Sequence, residues 1–156
     1  MKIHSVEVNN RKRCLEIETS KGRLSLPFSR LGLIPSATNR IVKAFVDKEL
    51  ANEGITYILS SGKEDSVPLD AFLDYARDPE YLGKMMLYKL TLEAEKLVAA
   101  SSLSKREIAR KLNTSPAHLY RLLDATNYTK TIDQMVKLLT ALGFKVDFKI
   151  QREKAA

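Results

Sequence analysis

The chain has 156 residues, 44% hydrophobic and 29% charged, and 26 Lys and Arg against 19 Asp and Glu give a net charge of +7. This length allows one domain or two small ones, and the single cysteine, Cys14, excludes an internal disulfide and a thiolate zinc site. No apolar run approaches the ~20 residues of a membrane span and the start lacks a signal-peptide core, so a soluble, cytoplasmic protein is expected.

Charge is unevenly spread. Through Asp78 there are 12 Lys and Arg against 11 Asp and Glu, and from Pro79 onward 14 against 8. The excess falls on the second half, as a surface that attracts polyanions would require. A surface charged only for solubility would show the same excess.

His4, Val6 and Val8 alternate with Ile3, Ser5 and Glu7, the period of a strand. Leu15, Ile17 and Thr19, then Leu24, Leu26 and Phe28, alternate on either side of Ser20-Lys21-Gly22-Arg23, which reads as a hairpin. Residues 29–40, with Gly32 and Pro35, read as a loop, and residues 41–46 as a strand or short helix. Residues 55–59 read as a strand before the turn Ser60-Ser61-Gly62-Lys63. Val67-Pro68-Leu69 reads as an edge strand, because proline cannot donate to a ladder, and Asp70 as the cap of a short helix through Tyr75. No internal repeat is evident.

Asp78-Pro79 opens the longest helix, a favoured cap followed by a favoured first residue, and the helix runs to residue 99 or 100. Its first half is apolar almost all round, from Tyr81 and Leu82 through Met85, Met86, Leu87 and Tyr88 to Leu90 and Leu92. Burial on several sides is expected, by one core, by both domains or by a second subunit.

Residues 104–123 carry the most local information. Ser104 and Glu107 have the spacing of a capping box, and Ile108, Ala109 and Leu112 follow at helical spacing. Asn113 tolerates the left-handed conformation that ends a helix. Ser115 then caps a second helix, with Pro116 at its first position and Leu119, Leu122 and Leu123 as its apolar stripe. Two short capped helices across a tight turn make a helix-turn-helix, whose second helix enters the major groove of DNA. After a loop, Thr131 and Gln134 form another capping box, opening a helix through Leu142 that ends at Gly143. Phe144, Val146, Phe148 and Ile150 alternate with Lys145, Asp147 and Lys149, which predicts a final strand paired with the N-terminal sheet or with another copy.

On these residues, 83–143 resemble a lambda-repressor-like (XRE-type) DNA-binding domain. Ile108, Ala109, Leu112, Leu119 and Leu122 carry the match, and Asn113 departs from the glycine common at that turn. The resemblance implies that Ser115, Pro116, Ala117, His118 and Arg121 face the groove. Arg121 would read guanine and Ala117 a thymine methyl, with His118 donating to a base or phosphate. Lys105, Arg106, Tyr120, Asn127, Tyr128 and Lys130 would then contact the DNA backbone, although Tyr120 and Tyr128 also suit packing between helices. Residues 1–75 faintly resemble DUF2442-type bacterial α+β modules, some of which accompany a helix-turn-helix. No single motif carries that second likeness.

The expected fold is therefore an α+β N-terminal domain followed by an all-α lambda-repressor-like helix-turn-helix domain with a C-terminal strand. Its domains span 1–78 and 79–150, with a tail at 151–156. The expected function is sequence-specific transcriptional regulation by a homodimer on double-stranded DNA, with the long helix or the final strand as interface. An antitoxin that neutralises a protein toxin and autoregulates through DNA is the alternative, and a helical protein-binding adaptor a third. Catalysis is not expected. His4 and His118 are far apart in the chain, and Ser61-Gly62-Lys63 lacks the rest of a phosphate-binding loop, with Tyr57 in place of its first glycine and Glu64 in place of Ser or Thr. The acidic residues from Asp65 to Glu80 read as surface and cap positions. No cofactor, metal or membrane partner is expected.

Overall fold

The computed structural model describes residues 1–152, so residues 153–156 of the expected tail lie outside the described residues. Two compact units divide the chain, Met1–Leu82 and the part from Gly83 onward. The boundary falls inside the long helix, four residues beyond the division expected after Asp78.

The first unit is built from two antiparallel meanders. Strands β1 (Ile3–Asn9), β2 (Cys14–Thr19) and β3 (Gly22–Pro27) form one three-stranded sheet, followed by a 3₁₀ turn at Phe28–Arg30. Strands β4 (Ile41–Val46), β5 (Gly54–Leu59) and β6 (Glu64–Pro68) form the second, followed by helix α1 (Leu69–Ala76). The central strands β2 and β5 point Leu15, Ile17, Ile55 and Tyr57 into one core with Leu26, Phe28, Val67 and Phe72. The Tyr57 hydroxyl donates to the Leu33 carbonyl at 2.8 Å and accepts from the Leu33 N–H at 3.0 Å, pinning the connecting loop.

The two meanders repeat one another in detail. Each first strand shifts register at its second residue, between Ile3 and Ser5 and between Ile41 and Lys43. Each second turn carries a glycine at positive φ, Gly22 at 105° and Gly62 at 86°. The Phe28 N–H bonds the Arg13 carbonyl at 2.9 Å, and the Leu69 N–H bonds the Glu53 carbonyl at 2.8 Å, at equivalent places. Sequence pattern hides this repeat because a meander needs only alternation and a permissive turn, which many residue types satisfy. The register shift also explains β1. It lets buried Ile3 share a core with Val6 and Val8, which strict alternation places on opposite faces.

The outward faces of β2 and β5 each bury a polar residue. Glu16 accepts from Asn9 Nδ2 at 3.2 Å and pairs with Arg23 at 2.9 Å, while Thr56 donates to Asp47 Oδ2 at 2.6 Å and bonds the Ser66 hydroxyl at 2.8 Å. Residues 41–46 are a strand rather than a helix. Pro68, rather than Asp70, stands at the α1 cap, and Asp70 lies in its first turn.

Helix α2 (Pro79–Ala100) starts where Asp78 Oδ1 accepts the Tyr81 N–H at 2.8 Å. Its fully buried residues form one stripe, Leu87, Thr91, Ala94 and Val98, at helical spacing, while Tyr81 packs against the first core and Met86 is exposed. Helices α3 (Lys105–Lys111), α4 (Pro116–Leu123) and α5 (Ile132–Ala141) complete the second core, in which Ile108, Leu119, Met135 and Leu138 are fully buried. No helix among the described residues is long and apolar enough to cross a membrane.

This architecture corrects the fold class expected from sequence. Among the described residues the fold is mixed α/β, with two three-stranded antiparallel sheets and five α-helices, not an α+β N-terminal domain followed by an all-α domain with a C-terminal strand. The final strand does not form. Residues 144–150 have no secondary structure, because period-two alternation makes a strand only where a partner edge exists.

Candidate nucleic-acid interface

The α3–turn–α4 segment is set by local hydrogen bonds that its residue types dictate. Ser104 Oγ accepts the Glu107 N–H at 3.2 Å, Ser115 Oγ accepts the His118 N–H at 3.2 Å, and Pro116 takes the first position of α4. Between the helices Asn113 adopts φ 54°. The Thr114 N–H reaches the Ala109 carbonyl at 2.9 Å and the Asn113 N–H the Arg110 carbonyl at 3.0 Å, the paired bonds of a Schellman turn. Buried Ala109 faces this turn, where a larger side chain would crowd the helix approach. Thr131 and Gln134 make both halves of the expected capping box on α5.

Leu119, Leu122 and Leu123 turn inward, so α4 presents Pro116, Ala117, Tyr120 and Arg121 to solvent, with Ser115 exposed at its cap and His118 half-buried. Lys105 of α3 sits 4.9 Å from the centroid of the Tyr120 ring, which joins the outer faces of the two helices. A groove of about 530 Å³ runs along the turn, lined by Arg106, Ala109, Arg110, Asn113, Thr114, Ser115 and Pro116. Arg110 was not among the residues expected from sequence, although its i,i+4 spacing from Arg106 marks a shared face. Lys105, Arg106, Arg110, Lys111 and Arg121 have no carboxylate partner within salt-bridge distance among the described residues. By contrast, Lys96, Lys137 and Lys145 of the same unit pair with Glu93, Asp133 and Asp147.

Two of the expected backbone contacts serve the loop after α4 instead. Lys130 is only 6% exposed, and its ammonium donates to the Leu122 and Asp124 carbonyls at 2.8 and 2.7 Å. Burial lowers its pKa, against the opposing pull of the Asp124 and Glu95 carboxylates. Its charge is spent on the C-terminal end of α4, where carbonyls lack helical partners, and it does not face solvent. Asn127 Nδ2 donates to the Arg121 carbonyl at 3.1 Å, while its Oδ1 accepts the Thr129 N–H at 3.0 Å and hydroxyl at 2.6 Å. Asp124 is held ionised by its bonds from the Thr126 hydroxyl and N–H. Tyr128 is exposed on this loop.

Comparison with protein-family models, with curated proteins and with solved structures returns no match for this chain. The chemistry of the α3–α4 surface therefore carries the functional reading. Five exposed cations on α3 and α4 without carboxylate partners among the described residues, an aromatic side chain and a short capped helix suit a polyanion with readable edges.

Proposed function

We propose that this chain is a cytoplasmic, sequence-specific DNA-binding regulator that places α4 in the major groove and acts as a homodimer. One observation carries the reading: Lys105, Arg106, Arg110, Lys111 and Arg121 are exposed on the doubly capped α3–α4 pair, with no carboxylate within salt-bridge distance among the described residues. Arg121, on the outer face of α4, offers a bidentate fork to guanine O6 and N7, and Ala117 an apolar contact for a thymine methyl. Lys105 and Tyr120, already in contact, suit adjacent phosphates, and Arg106 and Arg110 along the groove neutralise the backbone that flanks the inserted helix. Ser115 fixes the first turn of α4, and its exposed position lets it meet a phosphate alongside Pro116. His118 is a further donor where the groove reaches it, and Tyr128 one on the following loop.

Fluorescence anisotropy tests this reading, with DNA preceding the protein's own coding sequence and a scrambled duplex, each at low and near-physiological salt. Binding to the upstream duplex that survives added salt, with the scrambled duplex released, is the expected result. Equal binding to both that vanishes with salt would reduce the site to a basic surface and overturn the proposal.

A further inference from the structure

The segment after α5 offers a self-complementary alternating sequence that is left unpaired among the described residues. The Phe144 N–H closes onto the Leu139 carbonyl at 3.0 Å, but residues 145–150 make no backbone hydrogen bond to other described residues. Val146 packs against the second core, whereas Phe148 and Ile150 on the same alternating face are 85% and 86% exposed. On the other face Lys145 and Asp147 pair at 3.3 Å, and Lys149 has no carboxylate partner among the described residues. A segment with alternating apolar residues and open backbone groups is a template for strand addition.

We propose that residues 144–152 pair antiparallel with the same residues of a second copy, in register about Phe148. Charge selects the arrangement. A parallel, in-register pair sets each lysine beside its own copy, and an antiparallel pair centred on Asp147 opposes Asp147 to itself and Lys145 to Lys149, all like charges. Centring on Val146 opposes Lys145 to Asp147, but it sets Lys149 against Gly143, whose φ of 89° breaks the strand, and leaves Ile150 past its end. Centring on Phe148 places Asp147 opposite Lys149 of the second copy at two symmetric pairs. It also stacks Phe148 on its counterpart and covers each Ile150 with the other copy's Val146. Each Asp147 then lies between its own Lys145 and the second copy's Lys149. Such a contact is isologous and closes as a two-fold dimer. This inference rests on the proposed regulator only for its purpose, which is to present two α4 helices to one DNA site.

Sedimentation velocity on the full chain without DNA tests it, so a dimer with no DNA affinity would count against the regulator and not against the pairing. The unsubstituted chain is expected to be dimeric. Asp147→Lys and Lys149→Asp, both at exposed positions, should each weaken self-association roughly tenfold or more by turning two attractive pairs repulsive. Mixing the two variants should restore a dimer, because every crossing pair is again opposite in sign. A monomeric parent chain, or a dimer indifferent to both single changes, would overturn the pairing. Dispersed variants that stay monomeric when mixed would overturn the register, and so would a Lys149→Asp variant that stays dimeric, since pairing about Val146 leaves Lys149 without a crossing charge.

Discussion

Lys130→Met isolates the clamp beneath α4, because methionine keeps most of the side chain's length and removes only its charge and donors. The ammonium gives two bonds, to the Leu122 and Asp124 carbonyls at 2.8 and 2.7 Å. Each bond from a charged donor is worth ~1.5–3 kcal/mol, so the two together forfeit roughly 3–6 kcal/mol. Against this, burial of the apolar methionine end returns about 1.5–3 kcal/mol. A net loss of about 2–3 kcal/mol is expected. Urea unfolding followed by far-ultraviolet circular dichroism would show it as a midpoint lowered by ~1–2 M with the slope unchanged. The second readout separates structure from recognition. A phosphate contact contributes about one unit to the slope of log affinity against log salt, and a buried clamp contributes none. Unchanged stability together with a salt slope reduced by one unit would put this ammonium on the DNA and refute the clamp.

Three further outcomes follow from particular contacts. Arg121→Ala should cost ~1–3 kcal/mol at a cognate duplex and relax preference at one base pair, and an equal loss on every duplex would demote Arg121 to a backbone contact. Asn113→Val, at φ 54°, should destabilise the second unit by ~1–2 kcal/mol because a branched side chain resists the left-handed region; wild-type thermal stability would contradict this. The Thr56 hydroxyl bond, with the Glu49 and Leu50 N–H groups, lowers the Asp47 pKa. Burial pushes Glu16 up, but Lys12, Asn9 and Arg23 outweigh it and leave it lowered. Depressed carboxylates give stability that is complete above their unfolded pKa near 4 and lost as pH falls through the folded values. Thermal melts of the parent chain should therefore fall steeply below about pH 4. Asp47→Asn should flatten part of that slope, and an unaltered slope would rule Asp47 out as a contributor.

Local chemistry made the second unit legible. Ser104, Ser115, Thr131 and Asn113 act within four residues of themselves, and the structure uses each as its type dictates. What could not be read depended on distant partners. Lys130 looks like any loop lysine until the carbonyls at the end of α4 are brought to it. Phe144 to Ile150 alternate as a strand should, but alternation does not create the neighbouring edge. The paired meanders are not legible in the sequence for a related reason: their equivalence lies in register and turn geometry, while the outward polar residue is Glu16 in one and Thr56 in the other.

The unmatched cations of α3 and α4 have a thermodynamic consequence that does not depend on any ligand. Arg106 and Arg110, four residues apart on one helix, repel by roughly 0.2–0.5 kcal/mol, and Lys105, Lys111 and Arg121 add to the same field. In the first unit Lys2 pairs with Glu53 at 2.8 Å, and Arg23 binds Glu16 and Glu18 at 2.9 and 2.6 Å. Salt shortens the screening length from about 10 Å at 0.1 M to about 3 Å at 1 M, so it relieves repulsion in one unit and weakens attraction in the other. Amide hydrogen exchange across this range should show protection rising in α3 and α4 and holding or falling in β2 and β3. The salt should be a weakly interacting one such as sodium chloride, because sulfate strengthens burial everywhere. If protection in α3 and α4 instead falls with salt, their cations are held by attractive contacts and the surface is not poised for a polyanion.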